Sequence, residues 1–299
     1  MERSGGMAEE RARAAAWFEA LRDDICAAFE RLEATQTTGP FADRAAGRFE
    51  RKATRRAGEG EGDQGGGVMS VMRGGRVFEK VGVNISTVYG SLGAQAQRSL
   101  SARKELPGLA EDPRFWASGI SLVAHLNSPK VPAVHMNTRM FWTAASWWFG
   151  GGSDLNPMVP VDADTADFHA ALKSRCDPHG ADLYPRYKAW ADEYFFIKHR
   201  GEARGVGGIF YDDHCTGDWE ADFAFTQDVG RAFLEAYMPV AERRRDEAWD
   251  EADRAHQLYR RGLYAEFNLV YDRGTRFGLE TGHNPEAVLM SMPPLATWP

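Results

Sequence analysis

The sequence predicts a single α+β domain built around a large, mainly antiparallel β-sheet. A chain of 299 residues with 43% hydrophobic content can bury one large core. The predicted strands cluster between residues 68 and 142 instead of alternating regularly with helices, which is typical of an α+β layout. One of these strands alternates polar and apolar side chains, as expected for an antiparallel sheet with two unlike faces.

Composition restricts the class of protein. With 26% charged residues and no apolar run near the ~20 residues of a membrane helix, we expect no membrane insertion. A net charge of −7 disfavours nucleic acid as a partner. The N-terminus lacks the features of a secretory signal, and Cys26, Cys176 and Cys215 suit neither a disulfide framework nor a four-ligand zinc site. We therefore expect a reducing, cytoplasmic setting.

The first elements are a helix and a loop. Apolar residues recur at helical spacing between residues 7 and 34, which predicts an amphipathic helix. The glycine-rich stretch 58–67 predicts a mobile loop. We expect residues 1–67 to belong to the same domain as the main part of the fold, residues 68–299.

Strands and helices follow in blocks. β-branched, aromatic or alternating residues between turn signals predict four strands, at residues 68–72, 77–89, 119–125 and 133–142. Apolar stripes predict two helices after them, one containing Phe168 and Cys176 and one from Tyr187 to Ile197. A short strand at 206–211 precedes a helical tract at 219–261. Alternating residues then predict two last strands, at 263–272 and 288–292.

Two of the predicted strands carry polar residues on one face. Side chains two apart point the same way in a strand, so His135, Asn137 and Arg139 share a face. Ser121 and His125 share a face of the preceding strand. A hairpin centred near residue 130 would pair His125 with His135 and Ser121 with Arg139, which makes one polar patch from two strands.

The residue types of this patch predict an acidic small-molecule ligand. Arginine on a rigid strand is suited to a bidentate contact with a carboxylate, and asparagine can fix a second polar group. Two nearby imidazoles could bind a divalent metal or act as acid and base near neutral pH, and the residues alone leave both interpretations open. A solvent-exposed polar sheet face is the simplest alternative.

The stretch WWFGGGSDLNP, residues 147–157, is the second candidate part of a site. Three glycines let the backbone approach a ligand closely, and Asp154 would present a carboxylate into the same space. A glycine-rich turn with a capping aspartate is the alternative. No phosphate-binding GK[ST] sequence follows, and residues 205–210 lack the spacing of a dinucleotide fingerprint. A nucleotide cofactor is therefore not indicated.

Six stretches, taken together and in order, resemble the oxygen-dependent coproporphyrinogen III oxidases of heme biosynthesis. They are SLVAH (121–125), VHMNTR (134–139), WWFGGGSDL (147–155), DLYPRYKAW (182–190), FIKHRGEARGVGGIFYDD (196–213) and EFNLVYDRGTRFGL (266–279). The resemblance implies a large antiparallel sheet flanked by helices on both sides. It also implies a homodimer that forms largely through the C-terminal part, here residues 264–299.

The activity that the resemblance implies is an oxidative decarboxylation. Two propionates of coproporphyrinogen III become vinyl groups, giving protoporphyrinogen IX, carbon dioxide and water, with molecular oxygen as the co-substrate. No flavin, heme or nicotinamide is implied. The alternatives are a metal-dependent oxygenase acting on another polycarboxylate and a tetrapyrrole-binding protein without turnover.

The resemblance also implies roles for particular residues. His135 would be a proton donor, Asp154 would face the pyrrole N–H groups or position a reacting pyrrole, and Arg139 would act beside them. The implied substrate contacts are Ser121, Asn137, Thr138, Arg139, Gly282, His283 and Asn284. Many relatives carry an arginine in the segment that corresponds to residues 282–284, and this chain has no arginine there. Substrate affinity should therefore depend more on Arg139 or on another arginine such as Arg276.

A divalent metal is the last expectation from the resemblance. Bacterial members are described as metal-dependent, with ligands that match His125, His135, His169 and His199. Imidazoles alone suit manganese, zinc, copper or iron without selecting among them, and manganese is the metal we expect. His135 cannot be a metal ligand and a proton donor at the same instant, and core or capping roles are the alternative for His169 and His199.

Overall fold

The computed structural model describes residues 7–56, 63–102, 104–280 and 284–298. Within these residues, seven strands form one sheet in the order β1-β2-β3-β4-β5-β6-β9, and every neighbouring pair is antiparallel. The strands are β1 (Glu50–Arg55), β2 (Gly65–Arg73), β3 (Phe78–Ser91), β4 (Arg114–Leu126), β5 (Ala133–Thr143), β6 (Trp147–Asn156) and β9 (Gly208–His214). The predicted α+β class with a mainly antiparallel sheet is confirmed.

Helices lie on both faces of this sheet. They are α1 (Ala8–Thr35), α2 (Ala94–Ser101), α3 (Asp162–Cys176), α4 (Leu183–Tyr194), α5 (Trp219–Arg244), α6 (Glu251–Val270), α7 (Arg273–Glu280) and α8 (Pro285–Val288). Two-residue strands β7 (Phe196–Ile197) and β8 (Glu202–Ala203) form a separate ribbon, and a short 3₁₀ turn, Leu289–Ser291, follows α8. None of the helices in the described residues is long and apolar enough to cross a bilayer.

One face of the sheet is closed by helices α1 and α5. Phe29 of α1 packs against Phe78 of β3 with ring centroids 4.6 Å apart, and it meets Tyr237 of α5 at 6.1 Å. All three rings are fully buried, and burying a large apolar side chain stabilises a fold by roughly 1.5–3 kcal/mol. Because this face is filled by apolar packing, polar chemistry is confined to the opposite face, which we call the polar face.

The N-terminal segment is joined to the sheet through the carboxylate of Glu33. This side chain is fully buried and accepts hydrogen bonds from the backbone N–H groups of Gly47, Arg76, Val77 and Phe78 at 2.6–2.8 Å. A buried carboxylate is tolerated only when it is hydrogen-bonded in this way. Glu33 therefore fixes the end of α1 to the start of β3.

The two predicted C-terminal strands are wrong. Residues 263–272 lie mostly in α6, and residues 288–291 lie in α8 and the 3₁₀ turn after it. Leu263, Phe267 and Tyr271 are four apart, and this spacing places side chains on one face in a helix and in a strand alike. Leu269, which only a strand would bury with them, is 53% exposed.

The glycine-rich stretches form strands more than turns. Residues 147–156 make up β6, and residues 65–67 belong to β2, whereas residues 58–62 of the predicted mobile loop lie outside the described residues. Glycine suits β6 because Arg139 on β5 lies beside it: a Cβ at Gly150 would come within 3.0 Å of the Arg139 guanidinium. The glycines make room for a neighbouring side chain.

Candidate active site

Three neighbouring strands bring the predicted polar residues onto the polar face. Ser121 of β4 pairs with Asn137 of β5, and His135 of β5 pairs with Asp154 of β6. The predicted hairpin register is wrong by two residues, since Val123 and not His125 lies opposite His135. A shift of two leaves every side chain on its predicted face, so the polar patch forms with different cross-strand pairs.

His135 is held between a carboxylate and an amide. Its Nδ1 lies 2.8 Å from Oδ1 of Asp154, and its Nε2 lies 3.1 Å from Nδ2 of Asn137. A carboxylate only accepts hydrogen bonds, so Nδ1–H donates to Asp154, and Nε2 accepts from Asn137. The ring can take a proton at Nε2, and Asp154 stabilises the cation that results.

Asp154 is 1% exposed and is bonded on all sides. Its carboxylate accepts two bonds from Nη2 of Arg204, at 2.7 and 2.9 Å, and one from Nδ2 of Asn156 at 3.0 Å. Burial alone would raise the pKa of Asp154, but the charge of Arg204 and the hydrogen bond from His135 outweigh it and lower that pKa. The group is a permanent anion that orients His135.

Arg204 is itself enclosed by aromatic rings. Its guanidinium carbon lies 4.3 Å from the ring centroid of Phe195 and 4.6 Å from those of Tyr264 and Phe267. Nη1 donates to Oδ1 of Asn268 at 2.8 Å. The cation is therefore fixed by stacking as well as by its ion pair with Asp154.

Arg139 is the more accessible cation of the site. Its side chain is 36% exposed and pairs with the buried carboxylate of Asp212 on β9, which Arg273 approaches to 3.5 Å from the other side. Glycines flank it on both neighbouring strands, Gly119 on β4 and Gly150 on β6. A guanidinium with this freedom can turn one edge toward a carboxylate ligand.

The other predicted substrate contacts are placed unequally. Ser121 is exposed between Asn84 and Asn137, beside the His135 cluster. Thr138 is fully buried on the opposite, apolar face, so its side chain is not brought together with them. Asn284 caps α8, where its side chain accepts from the N–H groups of Glu286 and Ala287. Gly282 and His283 lie outside the described residues.

Residues 284–298, here called the C-terminal segment, cover one end of the polar face. Lys80 Nζ donates to the carbonyl of Met292 at 2.6 Å, and His125 Nε2 lies 2.9 Å from the carbonyl of Ser291. Asn84 Nδ2 donates to the carbonyl of Ala287 at 3.2 Å. Sheet side chains thus bind main-chain carbonyls of this segment at three points, which leaves the Ser121 and Arg139 end of the face open.

The four histidines predicted as metal ligands are engaged in separate contacts. His169 on α3 meets Tyr184 and the carbonyl of Val206. His199 meets Tyr271 and Glu266. His125 meets Ser291 and His135 meets Asp154, so within the described residues no two of the four share a hydrogen-bonding partner.

These residues do not fit a shared metal ion. Three of the four, His135, His169 and His199, have both ring nitrogens hydrogen-bonded within the protein. In the part of the chain that the structure describes, no group of three or more His, Cys, Asp or Glu side chains is arranged to hold a metal. A metal centre built from several imidazoles needs those ligands to converge on one point. The four histidines do not converge in this way.

Comparison with known proteins decides the family. The sequence model of the family described as coproporphyrinogen III oxidase matches residues 13–299. The chain belongs to the coproporphyrinogen III oxidase family. Two similar proteins are both named oxygen-dependent coproporphyrinogen-III oxidase. The one from Rickettsia bellii (strain RML369-C) is 50% identical over 282 residues, 94% of this chain and 96% of that protein. The one from Rickettsia peacockii (strain Rustic) is 51% identical over 280 residues, 93% and 94% of the two chains.

Within this coproporphyrinogen III oxidase family fold, sequence reasoning missed three members of the site. Arg204 lies in a glycine-rich turn with no periodic pattern, and Asn156 lies at the end of strand β6, which was not among the predicted strands. Asp212 lies beside Asp213, and two adjacent acidic residues are typical of no particular kind of site. A correct β5–β6 register would have indicated Asn156, because it follows Asp154 on the same face.

Proposed function

We propose that this protein catalyses the oxygen-dependent oxidative decarboxylation of coproporphyrinogen III to protoporphyrinogen IX. The observation that carries the proposal is the hydrogen-bonded pair of His135 and Asp154, with the accessible guanidinium of Arg139 on the same face. Family membership and the names of the similar Rickettsia proteins support the substrate and the oxidant.

The stoichiometry sets what the site must do. Each propionate that becomes a vinyl group releases carbon dioxide, a proton and an electron pair. The electrons from two propionates reduce one molecule of oxygen to two molecules of water, which also takes up protons. A residue that holds and moves a proton beside the reacting carbon is therefore needed, and an imidazole is suited to this near neutral pH.

We assign the proton transfer to Nε2 of His135. The carboxylate of Asp154 fixes Nδ1 as a donor, so only Nε2 exchanges protons, and the buried anion stabilises the protonated ring. Asp154 has no exposed surface to offer a ligand, so we give it a positioning role toward His135 and not a direct contact with pyrrole N–H groups.

The substrate-binding role falls to the open end of the polar face. Arg139 would bind a propionate, while Ser121 and Asn137 would hold neighbouring polar groups of the macrocycle. Gly119 and Gly150 place no side chains beside Arg139 on the two neighbouring strands, which suits a broad, flat ligand. Gly282, His283 and Asn284 remain proposed substrate contacts.

We also propose a cytoplasmic homodimer in which residues 264–299 provide the interface and residues 1–67 and 68–299 act as one domain. Among the described residues, large apolar side chains of this C-terminal part are exposed: Leu269, Val270, Phe277, Leu279, Leu295 and Trp298. Apolar residues exposed together are typical of a protein interface. A sedimentation measurement that finds only monomer across the concentration range would contradict this part of the proposal.

The activity is tested by incubating the protein with coproporphyrinogen III in air and under argon and reading the products by mass. We expect loss of two carboxyl groups in air and unchanged substrate under argon. Binding without any oxygen-dependent product would favour a tetrapyrrole-binding protein instead. Turnover of a different polycarboxylate, without turnover of coproporphyrinogen III, would favour a metal-dependent oxygenase acting on that other compound.

A further inference from the structure

Four buried polar side chains converge on one small cavity beneath helix α6. The cavity measures about 10 Å³, and its lining includes His125 of β4, Asn156 of β6, and Arg261 and Tyr264 of α6. Each of the four residues is at most 4% exposed. Polar groups buried this deeply are normally hydrogen-bonded.

Each of these residues has one atom without a hydrogen-bond partner in the described residues. The atoms are Nδ1 of His125, Oδ1 of Asn156, Nη1 of Arg261 and the hydroxyl of Tyr264. Burial raises the pKa of the Tyr264 hydroxyl and nearby Asn268 opposes that shift, yet no hydrogen bond of normal geometry joins the two side chains. Leaving even one such group unsatisfied destabilises a fold, so four around one space indicate a shared partner.

The remaining contacts of the four side chains fix which atoms accept and which donate. His125 Nε2 faces the carbonyl of Ser291, which only accepts, so Nε2 carries the proton and Nδ1 is an acceptor. Asn156 Nδ2 donates to Asp154 at 3.0 Å, which leaves Oδ1 as an acceptor. Arg261 Nη1 is a donor only, and Tyr264 can donate its hydroxyl proton.

Two acceptors and two donors are the complement of one water molecule. We propose that this cavity is a binding site for a single internal water molecule that joins the sheet to helix α6. Its two protons would go to Oδ1 of Asn156 and Nδ1 of His125, and it would accept from Arg261 and Tyr264. The cavity volume is about that of one water-sized sphere, and buried waters commonly have about three hydrogen bonds.

Other occupants fit the same donor set poorly. A metal cation would face the positive guanidinium of Arg261, and an anion would face the acceptors of His125 and Asn156. The water also connects two regions of the proposed active site. Asn156 bonds to Asp154, and His125 bonds to the C-terminal segment through Ser291. The inference does not depend on the proposed activity.

The decisive experiment is a crystal structure of the wild-type protein at a resolution that shows ordered waters, with a parallel crystal soaked in Mn²⁺. We expect one density peak within hydrogen-bonding distance of all four atoms and no anomalous signal there. A cavity without density, with the four side chains paired to one another, would overturn the proposal. So would an anomalous peak at this position.

Thermal unfolding of Tyr264→Phe is an independent test, because the Tm should shift in opposite directions for a hydrated and for a dry cavity. If the hydroxyl binds a water, its removal lowers the Tm by about 2–4 °C, which corresponds to one hydrogen bond in a chain of this size. If the cavity is dry, removal of an unsatisfied hydroxyl raises the Tm. Tyr237→Phe is the matched control, because Tyr237 is equally buried and its hydroxyl donates to the carbonyl of Pro132 at 3.0 Å.

Discussion

Asp154 on β6 lies directly opposite His135 on β5, and its Oδ1 is 2.8 Å from the imidazole Nδ1. This pairing joins a permanently charged, fully buried carboxylate to a ring that is partly open to the polar face. The arrangement sets the direction of proton transfer, because only Nε2 of the imidazole faces away from the anion.

Asp154→Asn should lose turnover far more than substrate binding. The amide cannot stabilise a protonated His135, so we expect kcat to fall about 10²- to 10⁴-fold with little change in KM. Arg204 would also be left buried without its counter-ion, at a cost of roughly 3–5 kcal/mol of stability. Steady-state kinetics and thermal unfolding measure both effects. Asp192→Asn, which removes an exposed carboxylate paired with Lys188, is the control. Near-normal kcat in the folded Asp154 variant would remove the positioning role.

Arg139→Ala should weaken substrate binding. Its side chain is 36% exposed, so we expect a loss of about 2 kcal/mol, which is roughly a 30-fold rise in the dissociation constant. Arg139→Lys should retain only part of the binding energy that Arg139→Ala loses, since an ammonium cannot form two parallel bonds to a carboxylate. Arg276→Ala is the comparison: Arg276 is 61% exposed and should affect affinity little. The reverse ranking would move the propionate site to Arg276.

His125 should make the protein sensitive to acid. Burial first, and then the charge of Arg261, lower the pKa of His125 to about 3. Below about pH 6.5 the unfolded chain binds a proton at this ring that the folded protein does not bind, so stability falls as the pH falls. From about pH 7 to about pH 5 the loss from this group is about 2 kcal/mol.

This acid sensitivity is measured by urea unfolding of the wild type and His125→Phe across that range. The variant should lose less stability on acidification than the wild type. Equal losses would show that His125 is protonated in the folded protein, contrary to its burial.

Glu33→Gln should destabilise the attachment of α1 to the sheet. A glutamine would replace one acceptor oxygen by an NH₂ group, which would face the backbone N–H donors that the carboxylate binds. We expect a loss of about 3 kcal/mol or more in the free energy of unfolding. Glu19→Gln on the same helix is exposed and should change stability little. If the two variants unfold alike, the Glu33 contacts contribute little.

Much of the fold could be predicted from the sequence because most elements carry one clear period. The helix α1 and the strands β2 to β5 follow directly from apolar spacing. The C-terminal helices could not be predicted, since residues four apart share a face in a helix and in a strand alike. Strand β6 could not be predicted either, because its glycines do not resemble strand residues. The glycines make room for the Arg139 side chain of the neighbouring strand. Residue spacing along one strand does not indicate such a contact between strands.

The candidate site was predictable only in part. The face shared by His135, Asn137 and Arg139 follows from alternation along one strand. The partners Arg204 and Asp212 come from turns and strands distant in the chain, so tertiary packing alone brings them to the site. The register error had no effect on the face because it was an even number of residues.

The most direct test of the account is carbon dioxide release from coproporphyrinogen labelled in its propionate carboxyls, compared between the wild type and His135→Gln. Glutamine can still donate a hydrogen bond to Asp154 but cannot exchange a proton at this position. We predict oxygen-dependent release of two labelled molecules per substrate by the wild type, and retained binding with release at least about a hundredfold slower by the variant. Wild-type release by the folded His135→Gln protein would contradict the central claim.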